Sequence, residues 1–319
     1  STMHLGAPSL VHAVRRALPD YTALLAPQQG VAWSYGELDQ RCRQLAAGLR
    51  ELGVRKSDVV VSDVPNVAEN LVLQLALSQL GASMATVKDA ASLDQLRATH
   101  SVRAAVCRDA GEESFLPSAA ADLPAPPVLL SGDSTSVPRA LAFSELACAP
   151  AEHADPSAAA DGLMAIFSGA ALTHNAAMAL GADAARRLNI GRTDRCCVSV
   201  TLCHAFGIGS GAGAALGVTA AVVLPAVGGI RGCGNPRQRA EVTSEVLRST
   251  GSTLLFADTH TLHALDALPP APTGAIRLAL RGGVVKSGSG SDFLATDGFV
   301  YAGVRMLEMG KLQRKDDCR

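Results

Sequence analysis

Short apolar runs alternate along the chain with longer segments in which apolar residues recur every third or fourth position. The runs Val59–Val61, Met84–Val87, Ala104–Cys107, Val128–Leu130, Leu163–Phe167, Cys196–Leu202, Thr219–Leu224, Thr253–Phe256 and Ile276–Leu280 read as buried strands. Between them lie helical patterns. The clearest begins at Ser34 and Glu37, an S-x-x-E capping box, places Leu38, Cys42, Leu45, Leu49 and Leu52 on one face, and stops at Gly53. Val67–Leu80 predicts a second apolar helix after the turn Pro65-Asn66, with Gly81 at its end. Further on, Asp94–Thr99 predicts a short helix, Gly207–Leu216 a Gly/Ala-rich one suited to close packing, and Asn235 caps a helix with Pro236 in first position. At the front, Leu10, Val11, Val14 and Leu18 suggest a helix, then the strand pair Tyr21–Leu25 and Gly30–Trp33. Strand, helix, strand in this rhythm predicts an α/β fold with a mostly parallel sheet covered by helices, and Leu163–Phe167 in the interior of the sheet. Residues 117–127 and 148–160, rich in Ala, Pro, Asp and Ser, read as surface connections.

The stretch Asp161–Asn175 carries the first chemical hint. Its strand Leu163–Phe167 ends in Ser168-Gly169, and Thr173-His174 open a helical pattern that runs through Leu188. A strand, a small-residue turn and a helix form a phosphate-binding layout, because a helix N-terminus presents unpaired N–H groups and positive potential to an anion.

Composition narrows the class. The 319 residues are 48% hydrophobic and 18% charged but only 3% aromatic, so the core must be built from Ala, Leu and Val. A net charge of -1 gives no reason to expect nucleic acid or an anionic membrane as partner, and no apolar run is long enough to span a bilayer. The eight cysteines show no C-x-x-C pair and no histidine placed to complete a zinc site, so no metal is expected and the thiols read as reduced and intracellular. The first residue is Ser1, which leaves a removed transit peptide and a mitochondrial location open.

Several segments together resemble the adenylate-forming, or AMP-binding, superfamily of acyl-CoA synthetases and related acid–thiol ligases. The stretch SYGELDQRCRQLAAGLRELGVRKSDVVVSDVPNVAEN is similar to the opening of those enzymes, with its T/S-Y-x-E-L helix, G-D-x-V strand and P-N-s-x-E turn. Phe167-Ser168-Gly169 and Leu172-Thr173-His174-Asn175 resemble the flanks of the family's phosphate loop, TSGTTGxPKG, whose TTGxPKG centre this sequence lacks. Leu202-Cys203-His204-Ala205-Phe206-Gly207 resembles the P-L-x-H-x-x-G motif, and Leu280–Ser289 the strand and Gly-rich turn of the adenine pocket without its proline.

The resemblance implies site residues position by position. Ser168, Gly169, Thr173, Ser287 and Gly288 match nucleotide-binding positions, and His204, Phe206 and Gly207 match the acyl pocket. Taken without the resemblance, His204 reads first as a ring capping the end of a buried strand and satisfied by backbone, and Gly282–Ser289 reads equally as a flexible loop. Met309–Lys315 resembles the terminal G-K-[IVL]-x-R/K motif, which makes Lys311 the match for the catalytic lysine; Asp297–Tyr301 instead resembles the strand before the family's hinge, and the two alignments exclude each other in full. The Y-G-x-T-E segment for nucleotide and magnesium and the ribose aspartate are not recognisable.

The resemblance therefore implies the parallel-sheet layered αβα core of an acyl-CoA synthetase N-terminal domain, with the C-terminal domain reduced or absent. Residues 1–150 would form a first αβ subdomain, 151–291 a second with the degenerate phosphate-loop region, and 292–319 a C-terminal remnant. Three functional readings follow. The first is a catalytically impaired pseudoenzyme, a structural or binding subunit of a larger assembly with other protein subunits as partners. The second is an active AMP-forming acid–thiol ligase using ATP, magnesium and CoA. The third is a nucleotide- or acyl-CoA-binding module without turnover. A carboxylic acid or acyl-CoA is the expected ligand.

Overall fold

A computed structural model describes residues 7–108, 115–130, 137–151, 156–167, 170–226, 235–266, 268, 277–280, 300–301 and 304–305. Helix α1 (Leu10–Arg16) leads to a hairpin of β1 (Thr22–Ala26) and β2 (Val31–Ser34), joined by a 3-10 turn whose Gly30 takes φ of 65°. Helix α2 (Tyr35–Glu51) follows, and its capping box forms as the sequence predicts: Glu37 N–H donates to Ser34 Oγ at 3.2 Å and Ser34 N–H to Glu37 Oε2 at 2.8 Å. Strand β3 (Val59–Ser62), helix α3 (Ala68–Leu80), β4 (Ser83–Thr86), α4 (Ala90–Thr99) and β5 (Val102–Cys107) continue the alternation. Helix α4 begins four residues before the predicted Asp94, because Asp89 caps it by accepting from Ser92 N–H at 2.8 Å.

Short elements come next: α5 (Leu116–Ala119), β6 (Val128–Leu129), β7 (Leu141–Ala142) and α6 (Phe143–Leu146). Then β8 (Leu163–Phe167) and β9 (Ala170–Thr173) precede α7 (His174–Arg187). Strand β10 (Arg195–Ser199) leads through a π-helix (Phe206–Ala212) into α8 (Gly213–Gly217), β11 (Ala221–Val223), α9 (Pro236–Thr250), β12 (Leu254–Ala257), α10 (Thr259–Asp266) and β13 (Arg277–Leu280). Asn235 caps α9 with Pro236 at its first position, as expected. A small antiparallel pair, β14 (Val300–Tyr301) and β15 (Val304–Arg305), stands apart from both main sheets.

The other described strands form two sheets. One has six strands in the order β13-β12-β10-β11-β1-β2 and the other seven in the order β7-β6-β5-β3-β4-β8-β9. Both are parallel except at one edge, where β2 and β9 run antiparallel. Strand β8 is paired on both sides, by β4 and β9, so Leu163–Phe167 is an interior strand.

Burial on both faces explains the near-continuous apolar strands. In β3, Val60 faces a central core while Val59 and Val61 face an outer one; in β10, Cys196 and Val198 face the same central core while Cys197 packs beneath α9 and α10. Helices α1, α2, α3, α7 and α8 fill the space between the sheets, so the αβα sandwich is doubled around a shared helical layer. Helix α3 is buried nearly all round, its apolar residues Leu71–Leu73 and Leu75–Leu77 together with the polar Asn70, Gln74, Ser78 and Gln79. The sheets do not follow a division at residue 150. Strands β8 and β9 complete the sheet begun by β3, and β1 and β2 extend the sheet of β10–β13. Among the described residues no helix is long and apolar enough to cross a membrane.

Candidate functional site

Parallel α/β sheets place ligands beyond the carboxyl ends of their strands. Two such ends matter here, those of β10 and β8.

Beyond Ser199 the ladder of β10 stops, three residues short of the predicted Leu202, and the segment to Ala205 is bent. It is gripped from the other sheet's helix. Leu202 N–H donates to Asn66 Oδ1 at 3.0 Å, Gln74 Nε2 donates to the Leu202 carbonyl at 3.1 Å, and Asn70 Nδ2 donates to Cys203 Sγ at 3.4 Å. Gln74 Nε2 also donates to Asn70 Oδ1 at 2.8 Å, which links the amides to one another. Burial raises the pKa of the Cys203 thiol, keeping it protonated.

From this support the chain presents His204, then Phe206 and Gly207. His204 Nδ1 accepts the Phe206 N–H at 3.1 Å, so the neutral ring carries its proton on Nε2. The Phe206 ring lies 6.0 Å from that of Phe256 on β12. Gly207 is required sterically: a Cβ there would collide with the Thr201 carbonyl. The predicted helix Gly207–Leu216 is instead a π-helix continued by α8, and a Cβ on Gly209 would press within 3.0 Å of Leu180 of α7. Of the three residues matched to the acyl pocket, His204 is half-buried, while Phe206 and Gly207 are buried, Phe206 within the central core.

At the end of β8 the expected layout is corrected. Ala170–Thr173 does not lead straight into a helix but forms β9, which pairs back along β8 with Phe167 opposite Ala170 and Leu163 opposite Thr173. The N-terminus of α7 therefore sits at the amino end of β8, a whole strand away from the turn. Its donors are already used: His174 N–H goes to the Gly162 carbonyl at 3.0 Å, Asn175 N–H to the Ala160 carbonyl at 2.7 Å, and Ala176 N–H to Thr173 Oγ1 at 3.2 Å. Thr173 caps the helix and stands at the far end of β9 from Ala170, the residue that pairs with Phe167. His174 is 1% exposed and its Nδ1 has no partner, and burial first, with His12 second, pushes its pKa down to about 4.

Ser168, Gly169, Ser287, Gly288 and Lys311 lie outside the described residues. The amides Asn66, Asn70 and Gln74 are the residues that sequence reasoning passed over. Their signal was present, as two amides one turn apart flanked by the apolar runs Leu71–Leu73 and Leu75–Leu77, and a third just ahead of the helix.

The family model for AMP-binding enzymes matches residues 11–230 of the chain. A 2,3-dihydroxybenzoate-AMP ligase of Bacillus subtilis is 48% identical over 50 residues, which cover 16% of this chain and 9% of the ligase. The 4-coumarate–CoA ligase 3 of Arabidopsis thaliana is 34% identical over 70 residues, 22% of this chain and 12% of that protein. Among solved structures, a benzoate CoA ligase from Burkholderia xenovorans LB400 superposes with a TM-score of 0.74 at 19% identity, covering 94% of this chain and 60% of the ligase. The N-terminal domain of FACL13 from Mycobacterium tuberculosis gives 0.72 at 15% identity, covering 96% and 76%. The chain thus spans under two thirds of the benzoate ligase, and the two sequence matches cover far smaller parts of their relatives.

Proposed function

The chain belongs to the AMP-binding enzyme family, and from that premise we propose that it is a non-adenylating member, which binds a carboxylic acid or acyl thioester beside His204 and serves as a binding or structural subunit of a larger assembly. The register of β8 and β9 carries this reading. Phe167 is paired with Ala170, so two residues, Ser168 and Gly169, make the whole connection.

A triphosphate needs a loop that surrounds its oxygens with backbone and hydroxyl donors. Two residues cannot supply that cradle, and the helix behind them cannot replace it, since its first N–H groups are spent on Gly162, Ala160 and Thr173. The residues present do not fit the phosphate chain of ATP, and magnesium would have no phosphates to bridge. Removing one preorganised donor already costs roughly two to three orders of magnitude in rate. A lysine such as Lys311 would then have no aligned phosphate on which to act.

The His204 segment supports the binding half of the reading, because buried side-chain amides hold the backbone ahead of it, whereas only two sequence positions separate the paired Phe167 and Ala170. Acids are the ligand class that the matched ligases are named for, with 2,3-dihydroxybenzoate and benzoate among them. As part of the same proposal we place the protein inside the cell, where an exposed free thiol such as Cys148 stays reduced.

The decisive experiment is carboxylate-dependent exchange of labelled pyrophosphate into ATP, run with benzoate and with short, medium and long acids. Exchange should stay at background, and Lys311→Ala should change nothing. Exchange above background that disappears in Lys311→Ala would restore the active ligase.

A further inference from the structure

The segment that carries His204 is not held by its own sheet. The last ladder position of β10 pairs Ser199 with Ala257, and the residues that follow, up to Ala205, belong to no strand. What holds them is a row of amides on and just ahead of α3, in the central layer. Asn70 and Gln74 lie one turn apart on α3, Asn66 stands just ahead of its start, and all three are buried.

The bonds they make are directed at a single point. Asn66 accepts from Leu202 N–H and donates through Nδ2 to the Val198 carbonyl at 3.4 Å, bridging the last turn of strand and the loop. Gln74 donates to the carbonyl of the same Leu202. Asn70 is fixed from below by the Val64 and Pro65 carbonyls, at 2.9 and 3.0 Å, and reaches Cys203. Both backbone groups of Leu202 are therefore set by side chains, two residues before the imidazole. The ring in turn accepts from the Phe206 N–H, a bond that exists only while the backbone from 202 to 206 keeps this path.

We infer that Asn66, Asn70 and Gln74 are positioning residues for the His204 site: they fix the backbone that presents the imidazole and so hold it in the tautomer with the proton on Nε2. A merely structural role, the satisfaction of buried carbonyls, would lower stability without touching the ring. The consequence for ligand affinity rests on the binding reading given above; the consequence for the ring does not.

The test is long-range proton–nitrogen NMR of the full chain with labelled histidine, the His204 signals being identified by their loss in His204→Gln. Gln74→Met conserves volume and removes the donor to Leu202; Asn66→Ala removes both of its bonds. Each should shift the His204 nitrogens away from the single-tautomer pattern and weaken benzoate binding by about tenfold, the scale of one buried hydrogen bond. Ser78→Ala, on the same helix and bonded only to the Gln74 carbonyl, should leave both readouts unchanged. His204 signals identical to wild type in both variants overturn the inference. Should neither variant fold, the unaltered chain decides. Its Leu202 amide must exchange as slowly as those of β10, and exchange at the rate of an open loop rejects the positioning role. Wild-type protein that shows the ring response but no benzoate binding sinks the functional reading alone.

Discussion

The carboxyl ends of β8 and β10 face the same kind of task and solve it in opposite ways. Past β10 the chain wanders for six residues before the π-helix at Phe206, and each irregularity has a dedicated partner: Asn66 and Gln74 on Leu202, Asn70 on Cys203, a glycine where the Thr201 carbonyl comes close. Past β8 the chain does the simplest thing available and turns back on itself, with Phe167 against Ala170. A shortened hairpin is cheap for the fold, because β8 and β9 keep their pairing and the cost of closing a loop changes only slowly with its length. The irregular segment is not cheap, since it is wedged between both sheets. The fold can therefore vary the β8 end without disturbing the β10 end, and the proposed function rests on that independence.

The β10 end is most vulnerable at Gly207. A methyl group there meets the Thr201 carbonyl, and Thr201 is itself tied into the segment by Cys203 N–H donating to its Oγ1 at 3.1 Å. Relief requires moving the segment or the π-helix. Gly207→Ala should cost about 3 kcal/mol or more, the range of overpacked core positions. Denaturant unfolding checks it, and a loss under about 1 kcal/mol would show that the segment is looser than its contacts indicate.

How far these features were legible in sequence follows from the range of the forces behind them. The capping box of α2 and the Asn-Pro start of α9 are local, and both form where the residues place them. Leu163–Phe167 was legible because burial on both faces leaves a strand little but apolar residues. Strand β9 was not, since Ala170-Ala171-Leu172-Thr173 is short, half exposed and small in side chain, and so blends into the helix that follows. The π-helix is set by contacts to α7 and β10 rather than by any local preference of a Gly-rich segment. The amides of α3 stood out, but their partners are 128 to 136 positions away, and no local pattern names them.

At the hairpin end of the comparison the weak point is acid. His174 begins α7 at the foot of β9, is buried with Nδ1 unpartnered, and has its pKa pushed down to about 4 by burial and by His12. Above the unfolded value near 6.5 both folded and unfolded chains hold it neutral, and stability is unaffected. As pH falls from 6.5 to 4 only the unfolded chain takes the proton, so stability should drop by about 3 kcal/mol over that window and then level off. Denaturation midpoints at pH 7, 5.5 and 4.5 measure the slope. His174→Gln should flatten it, and a slope unchanged in that variant would assign the acid response to other groups.

The smallest expected effect lies within the glycine-rich segment itself. Gly217 ends α8, ten residues after Gly207, and a Cβ built there meets nothing within 4 Å. Its φ does not lie in the left-handed region. If the glycines of this segment served flexibility in general, alanine should be harmful at both positions. If each is explained by its own contacts, Gly217→Ala meets no obstacle and removes only the extra freedom that glycine brings to the unfolded chain. The expected result is a gain of about 0.5 kcal/mol, measured by the same denaturant midpoint as Gly207→Ala. A loss of about 1 kcal/mol or more at Gly217 would mean that the helix end must open, and the firm support seen around His204 would then stop short of α8.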